Sequence, residues 1–407
     1  MNYITLILVI AILFGLSDFF TSHVPQLQRI VYVLAAITIY ILFTIKYFYG
    51  ADMLHYYNYY IYSRTPEYIL SHSDKGVFEP GFTFLCSLFL YYHVPFYWFT
   101  AFISTLYFAS VFLLWRLIPR YRSFALMLLV CLDYNLIFAA FRQCLSVSFF
   151  IFMVHCLRDK RYFCALLCAF LTAVMHKSGA FAVGISITFY MLQTKTLPQW
   201  VYPSLLLLLL LLLFIPMSSI LQGAYKTLHL PANYLYSLRH HLTLGKRVQT
   251  VFVLYLMLLV CLAHYRQYVN TQMTTIASFV IIGVLLIVLL YQSYYLLNRI
   301  RSFFLPLIIT YVFRLVQQAE DKQIKVPYGN LIKQLAVVVV FVYLGHMTYS
   351  FNRDANKMNY KIYNACTVFD IIGTDKHKVQ QKQLKQAELW WKYDFKRGLK
   401  KNKVTSL

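Results

Sequence analysis

The sequence predicts an all-α, polytopic integral membrane protein of about twelve transmembrane helices. Three observations carry that prediction. Hydrophobic residues make up 60% of the 407 positions and charged residues only 13%, a balance foreign to a soluble enzyme. Apolar runs long enough to cross a bilayer as helices recur along almost the whole chain, with LLLLLLLLLF at 205–214 the most extreme part of one. These runs are continuous rather than alternating, which excludes a β-barrel.

Taken in order, the predicted spans are 3–20, 30–48, 96–115, 123–140, 143–157, 161–175, 179–193, 199–215, 250–265, 273–297, 302–316 and 333–349. The first run has neither a basic leader nor a small-residue cleavage site, so it reads as a retained helix. The apolar stretch from Phe124 to Leu157 would be about 50 Å long as one helix, against a hydrocarbon core of about 30 Å. It must fold into two spans, and Arg142 and Gln143 then fall at the turn between them. Three pieces interrupt the pattern. Residues 49–80 form a polar, Tyr-rich loop, 81–92 an apolar stretch too short to span and suited to the interface, and 216–249 a second long loop. The domain expectation is a transmembrane unit over 1–349 followed by a basic tail over 350–407, whose segment LKQAELWWKYDFKRGLKKNK suits an interfacial helix.

A net charge of +23 invites nucleic-acid binding, but the Lys and Arg residues sit in short loops and in the tail. That distribution suits anionic lipid headgroups, topology signals and lipid-linked phosphate instead. The loops RLIPRYR (116–122) and RDKR (158–161) are short and strongly basic, hence cytoplasmic. Alternating from them gathers the 49–80 loop, the 141–143 turn, HKSG at 176–179, the 216–249 loop and NRIR at 298–301 on the outer face. Twelve spans also carry the tail outside despite its 13 Lys and Arg, so its side stays open.

The candidate chemistry lies on that outer face. Acids are scarce, and Asp52, Glu67, Asp74 and Glu79 all belong to the 49–80 loop. Gly50 lets the chain turn out of the second span, which sets Asp52 and His55 just above the bilayer. In FEPGF, Pro80 and Gly81 aim Glu79. Arg142 is either a snorkelling side chain at a helix end or a functional cation. Asp133 sits inside a span, where it suits a structural partner for a buried Arg. In VMHKSGAF, His176 and Ser178 lack the elbow and orienting acid of a hydrolase, so Ser178 reads as a helix cap. Arg142, His176, Lys177, Arg299 and Arg301 together could form a cationic pocket for a diphosphate. The eight cysteines are mostly packing residues, and the Cys164/Cys168 pair lacks companion metal ligands.

The ordered set of a Gly-x-Asp before a Tyr-rich run, then EPGF, FRQCLS, HKSGAF and Arg residues heading a late span resembles the EpsG family of Wzy-type bacterial polysaccharide polymerases. The likeness runs over about residues 40–310, and Asp52, Glu79, Arg142, Gln143, His176 and Arg299 are the matching positions. Lys46, Ala51 and Gly179 depart from the family's usual residues, and the likeness does not extend to the basic tail. The resemblance implies a GT-C-like inner-membrane glycosyltransferase of O-antigen, capsule or exopolysaccharide synthesis. It would join oligosaccharide units carried on undecaprenyl diphosphate at the periplasmic face, with inversion at the anomeric carbon. Glu79 or Asp52 would act as the catalytic base, and Arg142, Gln143, His176, Lys177, Arg299 and Arg301 would bind the lipid diphosphate and sugar. No cofactor and no metal are expected, while a chain-length regulator is a further candidate partner. A ligase or other related glycosyltransferase would use the same donor. A lipid-linked oligosaccharide flippase is the rival from a different class, although no internal repeat supports it. A membrane acyltransferase would need a His-acid centre that is absent.

Overall fold

The computed structural model describes residues 3–21, 24–48, 52–71, 78–118, 120–193, 274–289, 294–321 and 366–367, together with 381 and 385. The predicted spans at 199–215, 250–265 and 333–349, the 216–249 loop, Gly50, Ala51, Asp74 and most of the tail lie outside the described residues. The described chain is helical, with one short ladder.

Its elements are α1 (Tyr3–Phe20), α2 (Pro25–Thr44), β1 (Lys46–Phe48), α3 (Met53–Ile61), α4 (Pro66–Ser71), α5 (Pro80–Tyr91), α6 (Phe96–Leu114), α7 (Arg122–Ala139), α8 (Phe141–Arg158), α9 (Tyr162–Met175), α10 (Lys177–Gln193), α11 (Thr274–Leu289), α12 (Tyr294–Asp321) and β2 (Cys366–Thr367). The helices divide between two compact units. One comprises residues 1–148 and 316–400, the other residues 149–315 and 401–407. Two of the boundaries fall within helices, α8 and α12.

Proline sets several helix starts. Pro25 and Pro80 occupy first-turn positions of α2 and α5, where the missing N–H costs nothing, and Pro95 stands just before α6. In the first unit α1 packs on α7 and α2, and α2 packs on α6 and α7. One face of α2 (Ala35, Ala36, Ile39, Phe43) is buried; Tyr40 and Phe43 meet Phe108 of α6. The other face leaves Leu27, Ile30, Val33, Leu34, Ile37 and Ile41 exposed. In the second unit α9 likewise exposes Tyr162, Phe163, Leu166, Leu167 and Phe170. Continuous apolar faces of this size mark membrane or protein contacts.

Two described helical segments, Pro25–Thr44 and Phe96–Leu117, are long and apolar enough to cross a membrane. Hydroxyls along the helices close onto their own backbone, as Ser104 does to the Thr100 carbonyl, Ser148 to Cys144 and Thr172 to Cys168. That removes polar hydrogens from an environment with no water to take them.

Four sequence expectations meet the structure here. The predicted break at 141–143 falls one residue earlier, at Ala140 with φ −105° and ψ 63°, so Arg142 and Gln143 open α8 rather than forming a turn. Residues 81–92 do form a short separate helix, α5, packed against α3 and α4. Asp133 stands where α7 itself breaks, with non-helical φ −130° and ψ 24°. Among the described residues of the tail, Cys366 and Thr367 pair antiparallel with Phe48 and Lys46. That pairing brings this part of the tail beside the segment leading into the 49–80 loop.

Candidate functional site

In the first unit the site is built around one ion pair. Glu79 occupies the N-cap of α5 in extended backbone (φ −65°, ψ 148°), yet its carboxylate makes no capping bond. It turns instead to Arg142 in the first turn of α8, where Arg142 Nη1 donates to Glu79 Oε2 at 2.5 Å. The carboxylate side chain is 8% exposed and the guanidinium 20%, so the pair sits in a region of low polarity where its attraction is strong. The Arg142 Nε donor is buried and finds no acceptor.

Aromatic side chains enclose the guanidinium. It stacks 4.4 Å from the Phe78 ring centroid and 5.8 Å from that of Tyr56. Tyr56 in turn lies nearly parallel to Phe141, 5.5 Å away, and touches Phe78 and Phe82. The local sequence explains the arrangement. Met53, Tyr56 and Tyr60 recur at helical spacing on α3 and form its buried face. Tyr59 adds a hydrogen bond from its hydroxyl to Thr83 Oγ1 at 3.0 Å, tying α3 to α5. Desolvation raises the Tyr60 phenol above its ordinary pKa, and its hydroxyl donates to the Val94 carbonyl.

Asp52 caps the start of α3 through its carbonyl, which accepts the Tyr56 N–H at 3.0 Å, while its side chain is exposed and makes no capping bond. It stands one turn before Tyr56. Gln143 is buried beside Arg142 in sequence.

In the second unit the site is built around His176. This residue links α9 to α10 in extended backbone (φ −159°, ψ 136°) and is buried. Its Nδ1 accepts the Ser178 backbone N–H at 3.1 Å and lies 2.6 Å from Ser178 Oγ, and its carbonyl accepts the Gly179 N–H at 2.8 Å. The imidazole therefore caps α10. The expectation that Ser178 is the cap is corrected, because the Ser178 backbone N–H donates to His176 Nδ1.

His176 Nε2 faces Arg299 Nη1 at 3.5 Å. A guanidinium can only donate, so this contact is a long hydrogen bond to the ring in the tautomer that leaves Nε2 unprotonated. Arg301 lies two residues further along α12, roughly 200° around the helix from Arg299, and is partly exposed. Lys177 is exposed at the start of α10.

The structure thus brings Glu79 to Arg142 and His176 to Arg299. Sequence reading missed the aromatic enclosure of Phe78, Tyr56 and Phe141, although each flanks or shares a motif with a named residue. Among the described residues, no group of three or more His, Cys, Asp and Glu comes together to hold a metal ion.

Comparison with curated proteins and with solved structures finds no significant match. Residues 29–364 match the family model described as the EpsG family, a span that includes Asp52, Glu79, Arg142, His176 and Arg299. That match covers most of the chain, and with the apolar helices it identifies a membrane protein of polysaccharide synthesis. The chain belongs to the EpsG family, the family of Wzy-type polysaccharide polymerases.

Proposed function

We propose that the protein polymerises oligosaccharide units carried on undecaprenyl diphosphate, at the outer face of the bacterial inner membrane, within a GT-C-like bundle of about twelve spans. The observation that carries the reading is the Arg142–Glu79 pair inside its aromatic enclosure, in a chain of this family. In the reaction the hydroxyl oxygen of an acceptor sugar attacks the anomeric carbon of the donor. The carbon–oxygen bond to the diphosphate breaks, with inversion, and the hydroxyl proton passes to a carboxylate.

Glu79 is engaged with a guanidinium, which makes it the poorer base and the better positioning group for Arg142. Asp52, exposed and unused as a side-chain cap, is the carboxylate suited to take the proton. Arg142, Gln143, His176, Lys177, Arg299 and Arg301 serve the lipid diphosphate and sugar. The leaving group departs with its charge met by fixed cations, so no proton need be delivered to it. Stacking surfaces such as Tyr56 and Phe78 suit the apolar faces of sugar rings.

The test is reconstitution of the full-length protein in proteoliposomes with purified polyprenyl-diphosphate-linked units. A ladder of lengthened oligosaccharide on the lipid is the expected product. Transfer to a different acceptor would make the protein a ligase. Units that cross the bilayer without new glycosidic bonds would make it a flippase, and the polymerase reading would fall.

A further inference from the structure

Two contacts fix where the C-terminal tail emerges, and both lie in the unit that also holds Glu79 and Arg142. The first is an ion pair. Arg120 Nη1 lies 3.4 Å from Oδ1 of Asp321, the last residue of α12. The second is the short ladder in which Thr367 pairs with Lys46 and Cys366 with Phe48.

These two anchors stand at opposite ends of α2. Tyr32, in the first half of that helix, meets Phe112 of α6, whereas Tyr40 and Phe43, in its second half, meet Phe108. Helices α2 and α6 therefore run antiparallel, and the loop that follows α6 and carries Arg120 lies at the start of α2. Gln28 agrees with this placement, because it stands beside the Asp18 carboxyl that accepts the Phe124 N–H in the first turn of α7. The strand β1 (Lys46–Phe48), by contrast, comes directly after α2 ends. The 20 residues of α2 separate its two ends by roughly 30 Å, the thickness of a bilayer's hydrocarbon core.

Asp321 is thus held at one end of a membrane-length helix and Cys366 at the other. The apolar run at 333–349 is the stretch between them long enough to make that crossing. Beyond Thr367 the sequence holds no further apolar run of that length, so the tail stays on the side of Lys46–Phe48. Its positive charge is no obstacle, since long segments obey the charge rule weakly. Asp52 follows Phe48 by four residues on that side, and Arg142 lies beyond the end of α7 remote from Arg122.

The ladder also has a local consequence. A single three-residue strand cannot satisfy its own N–H and C=O groups, and β2 supplies partners for them. The segment that leads to Asp52 is therefore held by the far end of the chain.

We infer that the basic tail emerges on the same face as Asp52, Glu79 and Arg142, and that β2 is a strap positioning the segment that leads to Asp52. The task of Asp52 rests on the polymerase reading; the side of the tail does not.

The test uses the full-length chain. Alkaline phosphatase, which matures only outside the cytoplasm, should be active when fused after Leu407, and green fluorescent protein fused there should stay dark. In Phe48→Cys the new thiol stands opposite Cys366, where paired Cα atoms are about 4.5–5.5 Å apart and within disulfide reach. Diamide takes up the two thiol hydrogens, and peptide mass spectrometry should find those sulfurs joined. The cross-linked enzyme should extend chains within about twofold of wild type treated alike, because the strap is closed in the working state. Thr367→Pro, which removes a strand N–H, should lower kcat by about tenfold with little change in KM, and the same cross-link should restore it. A fluorescent fusion, a missing cross-link, a cross-linked enzyme without activity, or an unaffected Thr367→Pro each overturns the inference. Wild type that makes no polymer would instead remove the polymerase reading, and the fusions and the cross-link would still decide the position of the tail.

Discussion

Glu79 and Arg142 are 63 residues apart in the chain and 2.5 Å apart in the fold. The contact joins the first residue before α5 to the first turn of α8, and it diverts Glu79 from the capping bond its position would otherwise provide. A forgone cap costs about 1 kcal/mol. The ion pair that replaces it fixes the orientation of a guanidinium whose Nε still lacks an acceptor. Such an arrangement suits a residue that must meet a substrate oxygen without moving.

Arg142→Lys should lose activity by at least about 100-fold, close to the effect of Arg142→Ala. A lysine ammonium can meet Glu79 but offers no second, fixed donor and no planar face for Phe78. Glu79→Gln should also lose activity, and in addition destabilise the protein by about 3 kcal/mol, because it leaves a half-buried guanidinium without its counter-charge. Polymer length in proteoliposomes and thermal unfolding of the purified variants measure the two effects. An Arg142→Lys enzyme of normal activity would show that charge alone is needed there.

Asp52→Asn separates the two carboxylates. Asp52 is exposed and makes no side-chain capping bond, so the variant should unfold at the wild-type temperature while losing roughly 100-fold or more of its rate. If Asp52→Asn keeps full activity while Glu79→Gln abolishes it, the base is Glu79 and the assignment of roles reverses.

The His176 ring does two things, and substitution can divide them. His176→Asn retains a good N-cap acceptor for α10, so its stability should stay within about 0.5 kcal/mol of wild type, whereas His176→Ala should lose about 1 kcal/mol. Both remove the Nε2 that faces Arg299, so both should lose chain extension. Activity surviving in His176→Asn would reduce the histidine to a cap.

How much of this was legible beforehand depends on the range of the interaction. The need for a break near Arg142 followed from length alone, since no single helix of that apolar run fits a bilayer, and the break at Ala140 is where that reasoning points within a residue or two. The turn ahead of α5 followed from Pro80. The partner of Arg142 did not follow. Asp133 is nearer in sequence and reads as the natural counter-charge, whereas the contact with Glu79 closes only when α5 packs on α3 and brings Phe78, Tyr56 and Phe141 together. Periodicity reports which face of a helix is buried and is silent about which helix buries it. His176 was visible as an unusual residue, but its role as cap depends on an extended backbone angle that no local residue type announces. Asp18 shows the same limit: nothing near it in sequence reveals the Phe124 N–H that it caps.

The turn joining α8 to α9 is closed by a left-handed lysine. Lys160 has φ 59°; its N–H bonds the Leu157 carbonyl at 3.1 Å, and the next N–H, of Arg161, bonds Cys156 at 2.8 Å. This is the hydrogen-bond pattern that glycine usually closes. Lys160 is exposed, so Lys160→Gly should relieve the backbone strain and raise stability by up to about 1 kcal/mol. A lowered unfolding temperature would mean that the lysine side chain contributes more than its backbone angle costs.

Gly15 sets how closely α1 approaches α7. A Cβ there would lie 2.6 Å from Met127 Sδ and 2.8 Å from Met127 Cβ. The sulfur can swing aside, but the Cβ is fixed to the α7 backbone, so the helices must separate. Gly15→Ala should therefore cost about 1–3 kcal/mol. Shortening Met127 removes the sulfur but not its Cβ, so Gly15→Ala combined with Met127→Ala should recover only part of that cost. Full additivity of the two single effects would show that the residues do not share the space. Asp18 follows Gly15 by three residues on α1, so separation of the helices would also stretch its bond to Phe124.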